Sequence, residues 1–347
     1  MHEGTNRPKA VQTMILRKIR TALLKAGSST KAELSRQLGI SFPTVGKFLS
    51  LMEKEGEIFQ AGLDESSGGR RALRYAYNPE HMLGLALFLE RKETGYTVVN
   101  SLGEVKERGN TPGVLNAGIE SLDLHIQSFL DRYPRIGVIS IGIPGAVDGT
   151  GKIIHIPDYP QFHYFDLKQY CESRYSIPAV VENDMNAAVL GYYDRMTARD
   201  RSSLVYLYFG QNGPGAGILV NGEIVRGKSC FSGEVSFVPQ YDNRNFGQAL
   251  GRGEEANNGV SAAVDPAARL VASLAAILNP DGVIFNREEV SGDMLKAIAS
   301  ASAAYIPAEH LPELKASDWR QDYLYGLQRL GLDLLISETA PYLEIRE

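Results

Sequence analysis

Apolar residues Val11, Met14, Ile15, Ile19, Ala22, Leu23 and Leu24 recur every three or four positions, the spacing of one buried helical face. Gly27-Ser28-Ser29-Thr30 interrupts that pattern. Thr30 is placed to cap a second helix, Lys31–Leu38, with Glu33 completing a capping box and Gly39 ending it. Ser41 is placed to cap a third helix to about Glu55, with Pro43 tolerated in its first turn and Leu49, Leu51 and Met52 among its core-facing residues. Beyond Gly56, Ile58–Ala61 and Tyr75–Tyr77 read as two paired strands. The intervening Ser66-Ser67-Gly68-Gly69-Arg70-Arg71 reads as a flexible tip carrying two arginines.

From Leu83 the pattern changes to strands alternating with helices. Leu83–Leu89, Tyr96–Asn100 and Glu104–Arg108 read as consecutive strands, Gly118–Asp131 as a helix and Ile136–Ile141 as an apolar strand. The helix Asp166–Tyr175, the strand Ala179–Val181 and the helix Asp184–Tyr193 follow. Leu204–Tyr208, Gly217–Val220 and Glu223–Val225 read as further strands, Ala267–Leu278 as an apolar helix and Trp319–Ile336 as closing helical elements. Hairpins mixed with crossover helices predict an α/β body with mixed sheets in two lobes.

Charge sharpens this division. The 347 residues carry a net charge of −5, but residues 1–80 hold 13 basic and 8 acidic side chains, and the remainder 23 and 33. A basic head on an acidic body suits a nucleic-acid-binding module joined to a small-molecule domain. Two short helices joined by a glycine-containing turn form the helix-turn-helix pattern, whose second helix enters the major groove N-terminus first. That places Ser41, Phe42, Thr44, Val45 and Lys47 at the groove. Arg70 and Arg71 on the hairpin tip, a wing, would reach phosphates or a narrow minor groove. The bland reading is a small helical domain for protein contacts with solvated arginines. The agreement of helix, turn, hairpin and charge favours double-stranded DNA. The two cysteines, Cys171 and Cys230, lie far apart, and no segment approaches about twenty apolar residues. These features predict a cytoplasmic chain that does not engage a membrane.

Several segments resemble the ROK family of repressors, open reading frames and sugar kinases. Gly142-Ile143-Pro144-Gly145-Ala146-Val147-Asp148 is similar to its G-x-P-G-x-V-D loop, and Glu182-Asn183-Asp184-Met185-Asn186-Ala187-Ala188 to its E-N-D-x-N-A-A motif. Gly213–Gly222 resembles its glycine-rich phosphate hairpin, Ser232-Gly233-Glu234 the start of its G-E-x-G-H segment, and Leu278-Asn279-Pro280-Asp281 its L-N-P turn. The resemblance implies a winged helix-turn-helix at residues 1–80 before a two-lobed, actin-like (ribonuclease-H-like) sugar-kinase body. Its first lobe spans 81–197, completed by a helix within 319–347, and its second spans 198–318. It further implies that Asn183, Asp184 and Glu234 contact sugar hydroxyls, with Asp184 in the position of the family's catalytic base. Simple helix capping by Asn183-Asp184 is compatible with that role.

The nucleotide side departs from the family. Where D-x-G-G-T is expected the chain has Ala86-Leu87-Phe88-Leu89-Glu90. The usual G-T-G is Gln211-Asn212-Gly213, and the expected glycine pair after Pro280 is Asn286-Arg287. Bulky side chains keep the backbone away from phosphate, and Glu90 would repel it. Phe237 stands where the family has histidine, and Gln240–Asn258 lacks the cysteines of its zinc cluster, so neither metal nor cofactor is expected. The leading expectation is therefore a sequence-specific transcriptional regulator without enzymatic activity, a repressor of carbohydrate genes. It would act as a homodimer or dimer of dimers on a DNA operator, biased by a sugar or sugar phosphate. The alternatives are an active ROK sugar kinase with an N-terminal appendage, and a regulator whose body only dimerises.

Overall fold

The computed structural model describes residues 6–64, 71–196, 202–210, 213–251 and 259–337, the side chains of 6–9 and 259–262 excepted. The N-terminal part builds α1 (Asn6–Ala26), β1 (Ser29–Thr30), α2 (Lys31–Leu38), α3 (Phe42–Lys54), β2 (Ile58–Leu63) and β3 (Leu73–Tyr77). Thr30 and Glu33 form the expected capping box, and Ser41 accepts the Thr44 amide as the cap of α3. β2 and β3 pair antiparallel, and β1 adds to the outer side of β3. Leu16, Ile19 and Leu23 of α1 close with Leu34, Val45, Leu49 and Met52 into one small core. At its edge Arg20 and Glu57 form a buried, hydrogen-bonded ion pair.

The body repeats one topology twice. The first sheet uses β4 (Leu83–Leu89), β5 (Glu93–Asn100), β6 (Val105–Pro112), β7 (Ile136–Ile143) and β10 (Ala179–Asn183), in the order β10-β7-β4-β5-β6. Between β7 and β10 runs the small hairpin β8 (Ala146–Val147) and β9 (Ile153–His155). The second sheet uses β11 (Leu204–Tyr208), β12 (Gly215–Val220), β13 (Glu223–Ile224), β14 (Gly282–Asn286) and β15 (Glu313–Ser317), in the order β13-β12-β11-β14-β15. Each sheet thus starts as an antiparallel three-strand meander and continues on the first strand's other side with two parallel crossovers. This is the mixed, two-lobed, actin-like α/β architecture.

Five layers follow from period-two burial. Leu83, Leu85, Leu87 and Leu89 of β4 face α4 (Ile119–Arg132) and α5 (Leu167–Tyr175), whereas the alternate Ala86 and Phe88 face the middle of the molecule. In the second sheet Val205, Leu207, Val283 and Phe285 face α7 (Phe246–Ala249), α8 (Gly259–Leu278) and α9 (Gly292–Ser302), and Leu204, Tyr206 and Ile284 face inward. The shared middle layer is α6 (Asp184–Arg195) and α10 (Trp319–Ser337). Their closest approach is through glycines: a Cβ on Gly326 would meet the Ala187 carbonyl oxygen at 1.8 Å, and one on Gly191 the Asp322 oxygen at 1.9 Å. α10 also packs on β4 and β7, and it contacts α1.

β14, α9, β15 and the β8–β9 hairpin were not legible in the sequence pattern. Among the described residues no helix is long and apolar enough to cross a membrane.

Candidate functional site

Two surfaces hold the sequence-predicted residues. On α3, Ser41 is exposed at the cap, where its hydroxyl lies 2.7 Å from that of Thr44. Phe42 is 51% exposed, Thr44 is half-buried and Lys47 is exposed. Val45 corrects the expectation: it is 0% exposed and belongs to the core with Leu34 and Leu49, so it cannot touch a groove. The error is one of helical phase, since Val45 shares its face with Phe48, Leu49 and Met52. Arg71 is exposed just before β3, and Arg70 lies outside the described residues. Lys31, which the sequence reading passed over, holds its ammonium 4.2 Å from the centre of the Phe42 ring and adds positive charge beside the N-terminus of α3. Its signal was its place in the first turn after the Thr30 cap. Arg74 is committed elsewhere, bonded to Ser28, Glu33 and Asp64.

The second surface is the cleft between the sheets. Asn183 ends β10 and Asp184 begins α6. The Asn183 side-chain oxygen Oδ1 accepts the Met185 and Asn186 backbone amides at 2.9 and 3.0 Å, and its side-chain Nδ2 donates to Gly145 O and to Asp184 Oδ1. Asn183 therefore ties the Pro144-Gly145 loop to the helix start while capping it. Glu234 reaches the same place from the second lobe. Gly233 before it has φ of 94°, and a Cβ there would stand 2.0 Å from Ala216 O, so glycine is needed to present Glu234. Asn183, Asp184 and Glu234 line one cavity of about 120 Å³ with His155, Ser232 and Arg226. Phe237 is not among its walls; it is exposed and packs on Phe231.

Electrostatically this cavity is acidic but restrained. Burial, with the Glu234 and Glu90 carboxylates adding to it, pushes the Asp184 carboxyl up to about 7, against the Met185 amide that favours the ionised form. Burial also raises Glu234, with His155 opposing. Arg226, missed in the sequence because nothing in Val225-Arg226-Gly227 marks it, is held by Glu182. Glu182 also accepts the Asn183 amide and the Asn186 side chain. The pair crosses from the second lobe to the first.

Asp184, Pro144 and Tyr208 also line a neighbouring cavity of about 400 Å³ at the end of β4. Its charged walls are Glu90, Glu93, Asp184, Glu288 and Asp318 against Arg91, Lys92 and Arg320. Arg320 binds both Glu90, at 2.9 Å, and Glu93. Burial raises Glu90, and its Oε1 lacks a hydrogen-bond partner. Tyr208 stacks on Trp319, with centroids 4.5 Å apart and planes 6° from parallel. Arg287 turns to Asp318, and Asn286 is buried in the cavity wall. These residues do not fit a nucleotide's phosphates: the carboxylates outnumber the cations, and two of them already hold the central guanidinium. Gln211 and Asn212 lie outside the described residues.

The expected zinc segment is braced differently. Tyr241 is flanked by the Arg244 and Arg269 guanidinium groups at 4.6 and 4.8 Å, and Arg269 also covers Tyr305. Among the described residues no three His, Cys, Asp or Glu side chains converge as metal ligands.

The ROK family model matches residues 91–249. The xylose repressor of Bacillus subtilis is 27% identical over 66% of this chain and 60% of its own length. The transcriptional dual regulator NagC of Escherichia coli K12 is 25% identical over 61% of this chain and 54% of its own. The matches thus span about three fifths or less of these relatives. Among solved structures, a ROK family transcriptional regulator described as a homologue of the Escherichia coli MLC protein superposes with a TM-score of 0.73. It covers 94% of this chain and 98% of that one at 16% identity. A ROK glucokinase from Streptomyces griseus with glucose and AMPPNP gives 0.56 over 72% and 99% at 18% identity.

Proposed function

We propose that this chain, of which residues 91–249 match the ROK family model, is a transcriptional repressor of sugar-metabolism genes whose body senses a sugar without phosphorylating it. The carrying observation is the contrast between two neighbouring cavities. One keeps the hydroxyl-pairing wall of Asn183, Asp184 and Glu234, and the other, on the phosphate side, is walled by an excess of carboxylates. Short carboxylate and amide groups at the ends of rigid elements pair sugar hydroxyls when water is excluded. Arg226 is engaged by Glu182, so among the described residues the pocket wall offers no uncommitted guanidinium to a phosphate. An unphosphorylated sugar therefore suits it better than a sugar phosphate. The relatives' names, xylose repressor and N-acetylglucosamine repressor, point to the same class.

On the DNA side, Ser41, Phe42, Thr44 and Lys47 of α3 would face the major groove, and Arg71 with Arg70 the flanking backbone. Two copies of the chain would place two such units on a pseudo-palindromic operator. The sugar then acts by binding one lobe closure better than another, which alters the spacing of the two units.

The test is operator selection from random duplexes, followed by salt titration of the best sequence. Lys47→Ala should weaken binding and lower the salt slope by about one. Failure to enrich any sequence, or a slope unmoved by Lys47→Ala and Arg71→Ala, would sink the DNA reading. Phosphoryl transfer is the second reading, because a half-buried carboxyl near neutrality is what a catalytic base looks like. Sugar-dependent ADP release abolished by Asp184→Ala would establish it instead.

A further inference from the structure

We propose that the effector is larger than a monosaccharide: a neutral disaccharide or longer glycoside, with its terminal unit at Asn183, Asp184 and Glu234 and its next unit in the larger cavity beside Trp319. This rests on the sugar-sensing reading above.

Three observations carry it. The first is volume. Ligand pockets that enclose small organic molecules run from roughly 300 to 1,000 Å³. The cavity at Asn183 and Glu234 is about 120 Å³, below that range, whereas its neighbour of about 400 Å³ lies within it. The second is continuity. Asp184, Pro144 and Tyr208 belong to the walls of both cavities, so a ligand held by Asp184 has the larger space directly beside it.

The third is the chemistry of the larger cavity. Its wall has Tyr208 stacked on Trp319, with Tyr323 tilted 36° against the indole at 5.4 Å, beside carboxylates from Glu90, Glu93, Glu288 and Asp318. Each ionised carboxylate accepts several hydroxyl hydrogens. The half-exposed Tyr208 ring, backed by buried Trp319, supplies rigid apolar surface for the C–H face of a pyranose. Five carboxylates against three cations exclude a polyphosphate and tolerate a neutral polyol.

The experiment is calorimetric titration of the full chain with xylose, glucose and N-acetylglucosamine, each beside its own β-linked disaccharide, and with ADP. At least one disaccharide should bind tenfold or more tightly than its monosaccharide. Glu288→Trp, which fills the mouth of the larger cavity from an exposed position, should erase that advantage. Lys92→Trp does the same from the opposite wall and serves if the first variant melts abnormally. Equal affinity for a monosaccharide and its disaccharide overturns the proposal and leaves sugar sensing intact. An advantage untouched by both tryptophan variants overturns it too, because the second unit then lies elsewhere. ADP binding displaced by neither sugar would assign the cavity to nucleotide and overturn it. Binding of no saccharide at all removes both this proposal and the sensing reading.

Discussion

Asp184 shows how one side chain can start a helix and line a cleft at once. Its carboxyl accepts the Met185 amide at 2.8 Å at the start of α6, and burial with neighbouring Glu234 and Glu90 raises it to about 7. A carboxyl raised in the folded state holds its proton more tightly than in the unfolded chain, where it titrates near 3.9. Stability from this group is therefore full below about pH 4 and declines as pH climbs to about 7. Asp184→Asn, which keeps the size and one acceptor, should raise the melting temperature at pH 8 relative to the parent. It should change it little at pH 4, and an equal effect at both values would contradict the shift. Single residues were also where the sequence was most and least readable. Asn183, Asp184 and Glu234 could be placed from their motifs because the motifs sit at element ends. Val45 was misplaced by weighing nearness to the helix start over its spacing, since four and seven residues before Leu49 and Met52 it lies on their buried face.

Among elements, those whose periodicity and caps agree were legible: α2 with its Thr30–Glu33 box, β4 with its unbroken apolar run, and α6 behind Asn183. β14 was not, since its apolar run is only Val283–Phe285, and periodicity alone cannot assign so short a run to strand or helix. β15 is an edge strand with mostly polar, half-exposed residues and gives no alternation to read. The α6–α10 crossing was equally hidden, because Gly191 and Gly326 lie far apart in sequence and meet only in the fold. There the magnitudes oppose each other. Alanine in mid-helix gains about 1 kcal/mol over glycine. At Gly326, however, the added methyl would overlap the Ala187 backbone, and overpacking of this kind costs about 1–3 kcal/mol or more. Gly326→Ala should therefore lower the melting temperature by several degrees. Gly292→Ala, in the first turn of α9 with open space around it, should leave it unchanged or raise it. Equal shifts in thermal melts of the two variants would mean that the crossing is not close-packed.

At the scale of the molecule, the core decides what moves together. Ala86 and Phe88 of the first sheet and Leu204, Tyr206 and Ile284 of the second bury against the same two helices, so the lobes share a core that neither completes alone. The N-terminal unit closes its own core from Leu16 to Tyr77, and meets the body where α1 contacts α10. α10 begins at the cleft, with Trp319, Arg320 and Tyr323 in the larger cavity. It ends beyond Leu335, packed on Met82 and Val138 at the start of the body. One helix thus touches the proposed sugar cleft and the N-terminal unit proposed to bind DNA. Scanning calorimetry should resolve a large transition for the body and a smaller one for the N-terminal unit. A saccharide at a hundred times its Kd should stabilise the large transition by about 2.7 kcal/mol. If α10 carries the signal, the factor by which saccharide weakens operator binding must equal the factor by which operator weakens saccharide binding. Measuring both affinities on the same preparation checks this. A saccharide that stabilises the body yet leaves operator affinity unchanged would show a cleft that binds without regulating, and the head and body would then be energetically independent despite their contact.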